Sequence, residues 1–284
     1  MVISFHKDRF TNVKKPVVAG QFYPASASML KQAIFGYLEK AASASETTNS
    51  ISMPGQGKLK ALIVPHAGYI YSGPVAAHAY KLLKNFDSTK KWKVLLLGLS
   101  HFVPVVGAAV STFAKWETPL GQVDVFDVRK EIAPTENIVD IPEAEMKEHS
   151  LEVQVPFLQL SLKNFYLYPL ILGNVRPDFL ANDLMEFCKR DDVIIIASSD
   201  LSHYNEYAEA KKLDGETIDS ILGLDIEAMA ERGDACGRIG ILTLMCVAKN
   251  LGLSPKLLDY RNSGDTAGAM DSVVGYASIG FFGA

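Results

Sequence analysis

The sequence predicts an α/β fold: a single domain over residues 1–284 with a central mixed, mostly parallel sheet and helices on both faces. Three observations carry this. Short apolar runs, LKALIV, KVLLLGL and VIIIAS, alternate with longer segments of helical period, the pattern of strands buried on both faces. Hydrophobic residues make up 48% of the 284-residue chain, enough for a large core. No repeat or composition break divides the chain, so one domain is expected.

The elements follow in order. Residues 1–28 read as extended, with VKKPVVAGQFYPAS at their centre, and 28–42 as a helix. The stretch SASETTNSISMPGQGK reads as a surface loop. A strand at 59–64 leads through PHAGYIYSG to a helix from about Pro74 to Phe86. Ser72 is expected to cap it, with Pro74 in its first turn. Gly68 suits a tight turn, and Gly73 a close backbone approach. Strands are expected at 93–99 and around 105–113. Residues 115–147 look irregular, with a possible strand at 121–126. HSLEVQVPFLQLSL reads as a helix with Pro156 in its first turn or at a kink. A strand at 165–171, a helix at 178–190 and a strand at 193–198 follow. Helices then fill 206–223, 225–231 and 237–251. KLLDYRNSGD and VVGYASIGFFG close the chain as β segments that can pair antiparallel.

Composition excludes several function classes. The net charge is -4 and no basic stripe is present, so nucleic acid is not an expected partner. The longest apolar runs are too short to span a bilayer, and the N-terminal MVISFHKDRF lacks a signal-peptide core. Three cysteines, none in a CxxC pair, point to a reducing, cytoplasmic setting. Neither GxGxxG nor GxxxxGK[ST] nor GxSxG occurs, which disfavours dinucleotide, P-loop and nucleophile-elbow chemistry.

What remains is a set of histidines with one local grammar. His66, His101 and His203 each sit in the turn after an apolar run. Parallel strands end on one edge of a sheet, where ligands bind. Neutral imidazoles there can hold iron, copper or zinc; each alone can equally be a turn histidine bonded to backbone. Asp200 and His203, three apart in SSDLSHY, would face each other on a helical turn, the carboxylate orienting a general base. Asp200 can also cap a helix. Glu148, His149 and Glu152 in EHSLEVQV can read as a ligand-bearing helix or as a helix start with a capping Ser150. Cys236 in GDACGRIGIL stands at a helix start beside Arg238, both favouring thiolate. Cys188 and Cys246 lie within apolar helices, where cysteine packs. His78 reads as structural and His6 as part of a mobile tail. RNSGDTAG could cover the site or nest an anion.

VAGQFYPAS, PHAGYIYSG, GLSHF, EHSLEVQVPFLQ, SSDLSHY, ACGRIGI, YRNSGD and VGYASIGF, in that order from about Pro16 onward, together resemble the landmarks of the Memo family. Its prokaryotic members are often called the B component of the AmmeMemoRadiSam system. The family is similar in fold to the class III extradiol non-haem iron dioxygenases. The resemblance implies metal ligation by His66 and His101, with Cys236 in place of the dioxygenase carboxylate. It places His203 at the acid/base position with Asp200 beside it, and His149, Phe22 and Tyr69 around the pocket. Animal members are described as iron- or copper-binding redox proteins and as phosphotyrosine-peptide binders; Phe22 stands where some members have Trp. The leading expectation is therefore a metal-binding oxidoreductase holding Fe(II) or copper. Next comes a binding module that captures a small molecule or peptide without turnover. A zinc hydrolase is third, because two histidines and a cysteine leave zinc an open position.

Overall fold

The apolar runs form the centre of one large sheet. The computed structural model describes residues 13–46 and 57–283; His6 and most of the Ser/Thr-rich loop lie outside these. The strands are β1 (Val13–Lys14), β2 (Lys58–Val64), β3 (Trp92–Leu99), β4 (Ala108–Val110), β5 (Lys115–Thr118) and β6 (Gly121–Asp124). They continue with β7 (Ile138–Val139), β8 (Phe165–Leu172), β9 (Val193–Ser198), β10 (His203–Asn205), β11 (Ser254–Asn262) and β12 (Val273–Gly283). The helices are α1 (Ala27–Glu46), α2 (Tyr69–Leu83), α3 (Gln154–Ser161), α4 (Pro177–Cys188), α5 (Tyr207–Leu222), α6 (Ile226–Arg232), α7 (Arg238–Leu251) and α8 (Ser263–Thr266).

Nine strands form the main sheet in the order β10-β12-β2-β9-β3-β8-β4-β7, with β11 on β12. The parallel part is the central quartet β2-β9-β3-β8. Outside it, β12 pairs antiparallel with β2, β10 and β11, and β4 runs antiparallel to β8. The closing segments thus pair antiparallel as expected, and the sheet is mixed. Alternation along the strands explains two-faced burial. Ala61 and Ile63 of β2 join the core beneath α4 and α7, whereas Leu62 and Val64 join the core with α1, α2 and α3.

Most elements fall where the pattern places them, and β9 matches to the residue. Four differ. Helix α1 runs to Glu46. Helix α2 begins at Tyr69, so Pro74 lies inside it and Ser72 is no cap; the Ser72 hydroxyl instead donates to the Ala67 carbonyl. The entry turn is held by Tyr71 and Ser72 amides donating to Gly68 O, and Pro74 removes only one later rung. Gly68 is the residue before the helix and has an ordinary negative φ. A Cβ on Gly73 would lie 2.8 Å from the Tyr37 ring, so this glycine does let α1 approach. Helix α3 starts only at Gln154, leaving 148–153 as turns, with Pro156 in its first turn. Residues 115–147 hold β5 and β6, which form a small sheet with β1, then two single 3-10 turns and β7, more order than irregular composition suggests. RNSGDTAG forms the four-residue α8, closed by a capping box between Asn262 and Asp265. No helix among the described residues is long and apolar enough to cross a membrane.

Candidate metal centre

Strands β2, β9 and β3 are neighbours and parallel, so their carboxyl ends lie side by side. The turn after β2 carries His66, the turn after β3 carries His101, and Ser198, Ser199 and Asp200 close β9 between them. Cys236 arrives from the other direction, just before α7. A Cβ on Gly237 would stand 2.6 Å from Ser198 O, so glycine is needed for this turn to seat on the end of β9. The Gly237 amide donates to Ser199 Oγ at 2.8 Å, and the Cys236 amide donates to Asp200 O at 3.2 Å.

One donor atom each from His66, His101 and Cys236 lie within 4.8 Å of one another. Cys236 Sγ is 3.3 Å from His66 Nε2. A tetrahedral ion with ordinary metal–sulfur and metal–nitrogen bonds spans about 3.5 Å along that edge. His66 is buried, and its Nδ1 meets Ser198 Oγ at 3.0 Å. His101 Nδ1 meets Glu148 Oε1 at 2.9 Å, and its amide donates to Glu148 Oε2 at 2.7 Å. Both rings therefore have Nδ1 engaged, leaving Nε2 for the centre. The donor set fits a soft or borderline transition metal.

A second cluster, His101, Glu148 and His149, has similar spacing. It is a weaker candidate, because the Glu148 oxygens already accept from His101 and from the amides of His149 and Ser150 at 2.9 and 2.7 Å.

Charge follows from these contacts. Burial works against a charged His66, but the Cys236 thiolate, with Asp200 and Glu148, outweighs it and raises the imidazole to about 9. Burial likewise opposes charge on His101, and its bonds to Cys236 and Glu148 carry it to about 9. Burial raises the Cys236 thiol, yet His66 and His101 bring it down to about 6. The thiolate thus rests on the two imidazoles, whereas the sequence pointed to Arg238. Glu148, buried but held by His101 and by backbone amides, falls to about 2. His149 is pushed down to about 4, first by burial and then by the charge on His66.

The other expected site residues are less uniform. His149 stacks on His101, ring centres 4.5 Å apart, and meets the Phe22 ring edge-on at 4.6 Å. His149 therefore stands beside the centre, and Phe22 beside His149. Tyr69 does not line the centre with a free hydroxyl. It is buried among Tyr23 and Phe157 and donates to Val153 O at 2.6 Å. Asp200 and His203 do not face each other on a helical turn. Residues 200–202 are irregular, and His203 opens β10 opposite Val274. The Asp200 carboxylate instead accepts from the His66 amide at 2.7 Å and from the Ala67 amide. It fixes the turn that carries His66 and caps no helix. Ser150 is no cap either; its hydroxyl donates to Leu99 O. Cys188 and Cys246 are buried in α4 and α7, and burial raises both thiols, Cys188 to about 12.

Gln154 and Ser198 were missed, and Glu148 and Glu152, read as possible ligands or solvated carboxylates, serve as supports. Glu148 orients His101. Gln154 and Ser198 stand behind His66, with Gln154 Nε2 donating to Ser198 Oγ at 2.7 Å. Glu152 turns away from the centre and accepts from Lys14 Nζ, the Val17 and Val18 amides and the Tyr23 hydroxyl. It thereby anchors the segment that carries Phe22. The available signal was a polar residue inside an apolar run, as in VQVPFL and IIIASS.

A family profile described as Memo-like protein matches residues 14–280. The chain is 39% identical over 285 residues to a MEMO1 family protein of Sulfolobus acidocaldarius, covering 95% of this chain and 99% of that protein. It is 37% identical over 282 residues to a MEMO1 family protein of Nitrosopumilus maritimus, with the same coverage of each. Similarity to a MEMO1 family protein of Methanosarcina mazei is 38% over 283 residues, 94% of this chain and 98% of that one.

Proposed function

The chain belongs to the Memo family, and we propose that it is a metal-binding redox protein whose His66, His101 and Cys236 hold one iron or copper ion. The observation that carries this reading is the convergence of two imidazoles and a thiol within 4.8 Å at the ends of adjacent parallel strands. Such an ion would supply one-electron exchange and open coordination positions.

The protein's own groups divide the remaining work. Glu148 holds His101 in place, and Asp200 fixes the turn of His66. His149 and Phe22 wall one side with rings. His203 is assigned proton transfer: no hydrogen bond engages its ring among the described residues, and it follows the Asp200 turn by three positions. Its substitution by alanine would then spare metal content and remove turnover.

A second reading is kept by one observation. Ile70, Phe102 and Tyr204 are 62%, 56% and 77% exposed, and each belongs to a segment that also carries a site histidine. Such a rim suits capture of a ligand with an apolar surface, with or without turnover.

Elemental analysis of anaerobically purified protein tests the proposal. Iron or copper near one per chain, lost in His66→Ala and in Cys236→Ser, is expected. Zinc alone would favour hydrolysis. No metal under any loading condition would leave the binding module.

A further inference from the structure

Behind His66 lies a buried chain of polar side chains that the metal reading does not require. Tyr80 Oη donates to Gln154 Oε1 at 2.8 Å. Gln154 Nε2 donates to Pro65 O at 2.9 Å and to Ser198 Oγ at 2.7 Å. Ser198 Oγ donates to Ser150 O at 2.6 Å and meets His66 Nδ1 at 3.0 Å. Ser198, Gln154, Tyr80 and His66 are each at most 2% exposed.

The hydrogens in this chain can be placed from the partners alone. Pro65 O can only accept, so the amide of Gln154 cannot be flipped, and its nitrogen must face Ser198. Ser150 O can only accept, and two oxygens 2.6 Å apart need a hydrogen between them. Ser198 has one hydrogen and two lone pairs. Its hydrogen is on the Ser150 side, and one lone pair takes the Gln154 amide. The other lone pair is what His66 Nδ1 meets, so Nδ1 must carry a hydrogen. Reversing the last bond would strand a buried carbonyl. On the far side of the site, an ionised Glu148 can only accept, and it sets His101 Nδ1 the same way.

We infer that the relay Tyr80–Gln154–Ser198 is a positioning device that locks His66 in the Nδ1–H form, so that Nε2 presents its lone pair to the centre. Glu148 does the same for His101. This rests on the metal reading for its purpose, but the tautomer itself is a property of the metal-free protein. Free histidine prefers the opposite tautomer, so the lock is distinguishable from the default. The relay residues never touch the ligand position; they act through His66.

Cys236 Sγ, 3.3 Å from Nε2, would compete for the hydrogen as a thiolate, so long-range ¹⁵N–¹H NMR of metal-free Cys236→Ala, taken to a pH where the imidazoles are neutral, reads the tautomer directly. His66 and His101 should both appear as Nδ1–H. Ser198→Ala should release His66 to a mixture while His101 stays fixed, and Ser198→Thr should restore the lock. In parallel, chelator competition with Fe(II) should show about 10- to 100-fold weaker binding in Ser198→Ala and recovery in Ser198→Thr. His66 found as Nε2–H in Cys236→Ala with Ser198 intact overturns the inference. So does unchanged Fe(II) affinity in a folded Ser198→Ala protein whose parent binds Fe(II). Nδ1–H at both rings in Cys236→Ala, with a wild type that binds no metal, would refute the metal proposal and leave the lock standing.

Discussion

The two edges of the same sheet behave differently. At the carboxyl edge, β2, β9 and β3 deliver His66, Asp200 and His101 into a compact cluster whose second atoms are held from behind. At the amino edge lies a cavity of about 730 Å³, lined by Leu59, Leu82, Phe86, Trp92 and Leu253 with several lysines. That volume would hold a sizeable ligand. Three of its four lysines are already engaged, however. Lys60 Nζ donates to Arg190 O and Val193 O at 2.5 and 2.9 Å. Lys90 Nζ donates to Asp191 O and lies over the Trp92 ring, and Lys189 pairs with Glu186. These lysines serve carbonyls and carboxylates at element ends, an ordinary stabilising role. Volume alone does not mark a site; convergent donors with supported second atoms do.

The largest effect should separate the edges outright. His101→Ala should abolish stoichiometric metal binding, read by elemental analysis. Lys60→Met at the other edge should leave metal content unchanged while lowering stability by about 1–3 kcal/mol through two orphaned carbonyls. Metal loss in both variants would erase the distinction. Next, Glu148→Ala should weaken metal binding by about 10- to 100-fold, measured by chelator competition. An unchanged affinity would mean that support from behind does not matter.

A smaller effect concerns Cys236 in metal-free protein. Its thiol is held down to about 6 against burial by His66 and His101. Alkylation by iodoacetamide should fall as pH drops through 6, being about tenfold slower at pH 5 than at pH 7. Bound metal should suppress it at every pH. Cys188 and Cys246 should stay slow throughout, and equal rates for all three would contradict the polarised site.

The smallest effect uses a histidine at neither edge. His78 sits inside α2, pushed down to about 4 by burial and by Lys81 and Arg261, although Asp259 Oδ2 lies 3.9 Å away. The unfolded chain takes up this proton near pH 6.5 and the folded chain only near 4. Wild-type stability should therefore fall as pH drops across that interval. His78→Leu should flatten the decline in melting temperature. An equally steep decline would mean that His78 titrates alike in both states.

Much of this was legible because periodicity is a strong signal. VIIIAS reads as a doubly buried strand, and two of the three histidines that follow such runs, His66 and His101, meet at the centre. The start of α2 was not legible, since Pro74 argues for a beginning that Gly68 and the Tyr71 and Ser72 amides set earlier. The partners of Asp200 were hidden because they are the His66 and Ala67 amides, 134 and 133 positions away, and not a residue of its own segment. Gln154 and Ser198 looked like polar interruptions of apolar segments. Their role depends on which strand ends beside which, and a one-dimensional pattern does not contain that.

The Glu152 clamp gives the site a place in the order of synthesis. Val17 and Glu152 are 135 positions apart, so the segment bearing Phe22 leaves the ribosome long before its anchor exists. At ordinary elongation rates that wait lasts roughly 7 to 27 s. Until then Phe22 has no fixed seat, and Cys236 is still further from being made. The thiol is therefore the last of the three donors to be translated, after both imidazoles and their supports. A nascent chain arrested before residue 148 should leave Phe22 open to proteolysis, and one arrested beyond about residue 200 should protect it.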